Sequence, residues 1–155
     1  MTNPALKNKR RMLVAVSLAE FLAMSVWFSA SAVVPALTAD WHLTGSDQAW
    51  LTMSVQAGFV IGAFASSLFN LADYFPAHRF FATTSILASL ATALVAWLAP
   101  GLTMTLLLRF ATGLMLAGVY PVGMKIIATW TKEDRGFGIG LLVGALTLGS
   151  AAPHL

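Results

Sequence analysis

Three ionisable side chains interrupt the apolar runs of this 155-residue sequence, and any chemistry must start from them: Glu20, Arg109 and Lys125. Ionisable groups inside membrane spans are costly, and they face protein or a water-filled cavity. Glu20 lies about eight residues into the first apolar stretch, roughly 12 Å along a helix at 1.5 Å per residue. A carboxyl there can carry a proton or face a solute; equally, it can pair with the basic N-terminal tail. Arg109 lies about seven residues into the fourth stretch, counted from the opposite end, too deep to reach that interface easily. It suits binding an anion or coupling charge along a cavity, and the structural alternative is an ion pair with another helix. Lys125 follows about 24 Å further along the same helix. There a lysine can touch solute or simply snorkel to the boundary.

No enzyme constellation accompanies these residues. His42, His78 and His154 lack metal-ligand spacing. No Ser-His-Asp set and no phosphate-cradling loop can be argued. With no cysteine, disulfides and thiolate metal sites are excluded. The expectation is a protein that is not an enzyme, with no cofactor and no metal, whose work would draw on a gradient.

The elements that must hold these side chains follow from composition. The chain is 58% hydrophobic and 10% charged, with mean hydropathy +0.79. Soluble domains carry about 25% charge, and a domain of this length cannot hide so much apolar surface. Phe21 to Ala39, Gln48 to Ala72, Phe80 to Leu108, Phe110 to Met124 and Gly136 to Leu155 are uncharged. Pro100-Gly101 splits the third run with a turn signal. About 20 apolar residues cross roughly 30 Å of hydrocarbon as a helix. These runs predict spans near 12–37, 48–72, 79–99, 102–130 and 137–155, after a basic tail over 1–11. They lack the alternation of a membrane barrel. The fold class expected is all-α, a polytopic transmembrane helix bundle.

Lys and Arg orient the bundle. Lys7, Lys9, Arg10 and Arg11 precede span 1, Arg79 follows span 2, and Lys132 and Arg135 follow span 4. The intervening loops carry no basic residue, so the positive-inside rule places the N-terminus in the cytoplasm. Trp41, Trp97 and Trp130 fall near span ends, where indoles favour the interface. The net charge of +3 is therefore read as a topology signal, not as a nucleic-acid surface. Ala30-Ser31-Ala32 imitates a signal-peptide cleavage site, but Glu20 interrupts an apolar run already too long for one.

Small residues let helix backbones approach. Gly58 and Gly62 form G-x-x-x-G on span 2, Gly140 and Gly144 repeat it on span 5, and Gly113, Gly118 and Gly123 lie on span 4. The expectation is helix packing; sliding contact between moving helices is the sharper alternative. Pro35 and Tyr120-Pro121 are expected to loosen spans 1 and 4, because proline removes a backbone hydrogen bond.

The loops carry a resemblance. Leu71-Ala72-Asp73, followed by Arg79, resembles the Gly-x-Leu-Ala-Asp-Arg-x-Gly-Arg loop signature of the major facilitator superfamily. Phe69, Tyr74 and Pro76 replace its first Gly, first Arg and second Gly. Leu108-Arg109-Phe110-Ala111-Thr112-Gly113 resembles the family's Arg-x-x-x-Gly pattern in helix 4. Lys132-Glu133-Asp134-Arg135-Gly136 with Gly140 is similar to its loop from helix 4 to helix 5, and Val33-Val34-Pro35 to the end of its first helix. Span 5 has Gly144, Gly149 and Pro153 but not the Gly-Pro pair of the antiporter signature, which argues against drug:proton antiport. The resemblance runs the length of the chain. It implies five helices of the N-terminal six-helix half of a twelve-helix fold, with helices 1 and 4 lining the central cavity. It also implies that Asp73, Arg79 and Arg135 serve conformational change. Glu20-Phe21 and Arg109-Phe110 occupy similar places in their spans, an echo of the family's inverted repeats.

Two functions fit. The first is a secondary active transporter of a small solute, an organic or inorganic anion, by alternating access with ion coupling. Its partners would be the solute, a coupling proton, membrane lipid and a C-terminal half of the same chain, with no nucleic acid; its place would be a bacterial inner membrane. The second is a stand-alone membrane scaffold or assembly subunit without transport, its glycine stripes serving helix contacts. The apolar run still open at Ala152-Pro153-His154-Leu155 makes a fragment the expectation.

Overall fold

The computed structural model describes residues 4–98 and 101–152. Pro100, Pro153 and His154 lie outside the described residues, as do the side chains of Lys7 and Ala30. The helices are α1 (Pro4–Trp41), α2 (Gly45–Leu68), α3 (Leu71–Tyr74), α4 (Ala77–Leu98), α5 (Leu102–Leu116), α6 (Tyr120–Trp130) and α7 (Arg135–Ala151). No strand occurs among the described residues. Asn8–Trp41, Gly45–Leu68, Ala77–Leu98 and Leu102–Trp130 are long and apolar enough to cross a membrane. The fifth expected span corresponds to α7, whose 17 residues reach about 26 Å.

Local chemistry sets the helix limits. α1 begins at Pro4, so the segment expected as a basic tail over 1–11 is helical from there onward. Nothing before Trp41 stops it. Pro35 lies inside the continuous helix, so the loosening expected there does not extend to a break. His42 turns the chain with a φ of 52°. Thr44 and Asp47 then close a capping box that starts α2: Asp47 N–H donates to Thr44 Oγ1 at 3.3 Å and Thr44 N–H to Asp47 Oδ2 at 2.9 Å. Asp47 thus belongs to the first turn of α2 and not to the preceding loop. Gly101, with φ 82°, leads into α5 in a conformation that glycine adopts without strain.

The fourth span is broken. Pro121 has no N–H for the carbonyl of Ala117, four residues back, and its ring crowds that oxygen. The chain answers with two short i→i−3 bonds, Gly118 N–H to Met115 O and Val119 N–H to Leu116 O, both 2.9 Å, before Gly123 N–H resumes the ladder on Val119 O at 2.8 Å. The loosening expected from Tyr120-Pro121 is therefore a break, at 117–119, between α5 and α6.

The most extensive contacts join α2 to α5, α1 to α7 and α4 to α5. Glycine makes the first of these possible. A methyl group at Gly58 would collide with Phe110 O, and one at Gly113 with Val55 O; at Gly62 it would lie 2.6 Å from Leu114 O. Gly118 sits against the Thr84 side chain in the same way, at 2.6 Å. Gly140 and Gly144 do not: nothing in the described residues comes within 4 Å of a Cβ at either position. The glycines of α7 in close contact are Gly138, against Thr131, and Gly149, against Phe21 O. Spacing marks a stripe, whereas helix rotation decides which stripe faces a neighbour. Met24, Leu116, Val119 and Val122 centre one buried cluster, and Leu13, Val16, Ile127 and Leu142 a second.

Candidate solute and coupling site

Glu20 and Arg109 are both buried, at 0% and 1% exposure, so neither faces lipid. Both Glu20 oxygens lack any hydrogen-bond partner, as does the nearby hydroxyl of Ser17. The tail offers Glu20 no partner among the described residues; its Lys9 pairs with Asp134 of the α6–α7 loop at 2.6 Å. Gly123 makes room for the carboxyl. A Cβ there would lie 2.8 Å from Oε2, so this glycine serves a side chain and not only backbone packing.

Arg109 reaches across to α1. Its Nη2 donates to Trp27 O at 2.6 Å and its Nη1 to Val26 O at 3.4 Å, while Nε has no partner. Those carbonyls lie six and seven residues beyond Glu20, about 10 Å along the axis. Among the described residues Glu20 and Arg109 form no ion pair with each other. Arg109 is thus a tie between α5 and α1 that leaves its Nε–H unpartnered. It also lines a cavity of about 280 Å³ between α1, α2, α4 and α5, together with Ser29, Thr92 and Thr105. The Thr105 hydroxyl is buried without a partner.

Lys125 does not project freely. Its Nζ donates to Ala72 O at 2.8 Å and forms an ion pair with Asp73 Oδ1. The α2–α4 connection is thereby latched to α6. Arg79 and Arg135 make no ion pair among the described residues, so the loop constellation of Asp73, Arg79 and Arg135 is not assembled as a unit here.

Within this frame of long apolar helices, a family model described as Major Facilitator Superfamily matches residues 16–152. The chain belongs to the major facilitator superfamily. It is accordingly a multi-pass integral membrane protein of a transporter family, not an enzyme. Membership accounts for the Asp73 loop, the Arg109-to-Gly113 pattern and the 132–136 loop read in the sequence. The chain is 36% identical over 132 residues to the niacin transporter NiaP of Acinetobacter baylyi, covering 79% of this chain and 29% of that protein. It is 29% identical over 126 residues to the putative niacin/nicotinamide transporter NiaP of Bacillus subtilis, covering 81% and 31%. It therefore spans about a third of the length of the curated relatives it matches. No solved structure matches it significantly.

A second cavity, of about 230 Å³, lies between α1, α2, α6 and α7 and is lined by Met24, Trp27, Phe28, Phe59, Tyr120 and Leu146. Trp27 and Phe59 pack with ring centroids 4.8 Å apart, tilted by 60°. None of these residues stands out by charge or spacing. The signal available was Trp27, an indole in the middle of a span rather than at its end.

Proposed function

We propose that the protein carrying this chain is a secondary active transporter of a small ring carboxylate of the niacin type, coupled to protons and working by alternating access. The observation that carries this reading is a pair of opposite charges, Glu20 and Arg109, buried on separate helices without neutralising each other. Arg109 supplies a permanent positive charge at its cavity, suited to an anionic solute. Glu20, unpartnered and lodged against Gly123, takes up and releases the coupling proton. The Lys125–Asp73 latch opens and closes with the cycle; Arg79 and Arg135 supply positive charge around it. The names of the two relatives support the niacin type of solute. They also favour transport over a stand-alone scaffold, as does family membership.

The basic end of the bundle lies in the cytoplasm of a bacterial inner membrane, with lipid around the helices and the rest of the transporter completing the cavity. Uptake of labelled nicotinate into proteoliposomes by the full-length protein tests the reading. Arg109→Ala collapses uptake. Glu20→Gln abolishes accumulation driven by a proton gradient but spares exchange of solute for solute. Normal uptake by Arg109→Ala overturns the solute role, and normal gradient-driven accumulation by Glu20→Gln overturns the coupling role.

A further inference from the structure

The cleft beside Trp27 is unusually rich in rings. Four of its six lining residues are aromatic: Trp27, Phe28, Phe59 and Tyr120. They come from α1, α2 and α6, so no local helical periodicity produced the cluster. The space is a cleft open on one side, lined by half-buried rings, and it offers about 230 Å³ among them. An apolar cavity of about 150 Å³ is enough for a benzene ring. The space therefore takes one six-membered ring with a substituent.

Its depth also suits a solute. Trp27 lies fourteen positions before the end of α1 at Trp41, and Phe59 fourteen positions after the start of α2 at Gly45. At 1.5 Å per residue both stand about 21 Å from the same end of the bundle, well inside the membrane, and transporter sites gather near the midplane. Arg109 bears on the same spot, since it grips the carbonyl of Trp27 at 2.6 Å. That bond fixes the stretch of α1 that presents the indole. Tyr120 stands at the first position of α6, directly after the break, so a shift at 117–119 moves one wall of the cavity relative to the others.

We propose that this pocket is the ring subsite of the transporter, where Trp27, Phe28, Phe59 and Tyr120 pack against the planar aromatic ring of the solute. Arg109 acts there as a positioning residue for Trp27. The inference rests on the ring-carboxylate reading above and adds which side chains select the ring and why it must be flat. Aromatic faces and edges favour a second π-system beyond the gain from area alone, whereas a saturated ring of the same size gains only the area.

Calorimetric titration of the purified full-length protein with nicotinate, benzoate and cyclohexanecarboxylate tests this. The wild type is expected to bind the two planar rings about tenfold more tightly than the saturated one. Phe59→Leu, which keeps apolar bulk, is expected to reduce that preference to within about twofold. A merely structural defect would weaken all three ligands together and leave the ratio intact. Phe28→Leu gives the same readout should Phe59→Leu fail to fold. Binding without planar preference in the wild type, or a preference that survives these substitutions, overturns the ring subsite and leaves the transport reading standing. No binding of any of the three by the wild type overturns both.

Discussion

Replacing Gly113 by Ala while making the same change at Gly140 separates backbone contact from helix propensity. The two substitutions are chemically identical, and both positions lie within helices. At Gly140 the new methyl meets nothing within 4 Å. The gain is then that of Ala over Gly in a helix, about 0.5–1 kcal/mol. At Gly113 the methyl would enter the space of Val55 O and lie 2.9 Å from Phe59 N. These obstacles are backbone, so no side chain can rotate away and α2 must move off α5. A carbon and a carbonyl oxygen rest at about 3.3 Å or more. Even the milder case at Gly62, 2.6 Å from Leu114 O, is short by about 0.7 Å. A gap of 0.5–1 Å forfeits a quarter to a half of each dispersion contact it opens, and α2–α5 is the broadest interface in the bundle. Overpacking of this kind costs about 1–3 kcal/mol. The propensity gain is common to both and cancels, so the twin variants should differ by about 1–3 kcal/mol, with Gly113→Ala the less stable. Detergent-titrated unfolding of the full-length protein in mixed micelles, followed by intrinsic fluorescence, measures the difference. Equal stability of the twins would refute the close approach of α2 and α5.

Other substitutions probe individual contacts. The Lys125–Asp73 pair has side chains 42% and 72% exposed, so a double-mutant cycle in the same titration should give a coupling below about 1 kcal/mol, and a value above about 2 kcal/mol would show the latch to be far more buried than it is here. Thr44→Ala removes the hydroxyl that caps α2 and should cost about 1 kcal/mol; no change would mean that the cap contributes nothing to the helix. Arg109→Lys keeps the charge but cannot place two nitrogens on Val26 O and Trp27 O. Nicotinate uptake should therefore fall at least about tenfold, and wild-type uptake would mean that charge alone suffices. Pro121→Ala restores an N–H that can bond to Ala117 O, so hydrogen exchange across 117–123 should slow; unchanged exchange would place the cause of the break elsewhere.

Hydropathy alone places the helices, because each apolar run must either cross hydrocarbon or stay unexplained, and charges mark where runs end. The limits shift where a specific cap or turn decides them. Thr44 with Asp47 moves the start of α2 to Gly45, and the polar tail continues α1 because nothing between Pro4 and Met12 breaks a helix. The break in the fourth span is legible in Pro121, although its location four residues earlier follows from the oxygen that loses its donor. Gly58, Gly62 and Gly113 are legible as contacts, whereas Gly140 and Gly144 show the weakness of the same motif. Four-residue spacing puts two glycines on one face, and nothing in it says whether a neighbour lies there.

The site divides along the same line. Glu20 and Arg109 are conspicuous in the sequence because charge inside an apolar run demands an explanation, and burial at 0% and 1% supports asking it. Their surroundings are invisible there, since Val26 O and Trp27 O, which hold Arg109, and Gly123, which makes room for Glu20, belong to other helices and carry no signal of type. The aromatic pocket is the extreme case. Phe and Trp are ordinary in a membrane helix, so Trp27, Phe28 and Phe59 acquire meaning only when α1, α2 and α6 bring them around one space. Arg109 connects the two levels. Its charge marks it in the sequence as a candidate for an anion, but its geometry spends two nitrogens on the backbone beneath Trp27. In the transporter proposed above, a residue placed to hold both a charge and the indole beside it would let one event, a shift of α5 against α1, alter the anion's surroundings and the ring's surroundings together. That would be the coupling the proposed alternating cavity requires, and it would arise from a hydrogen bond that no residue pattern announces.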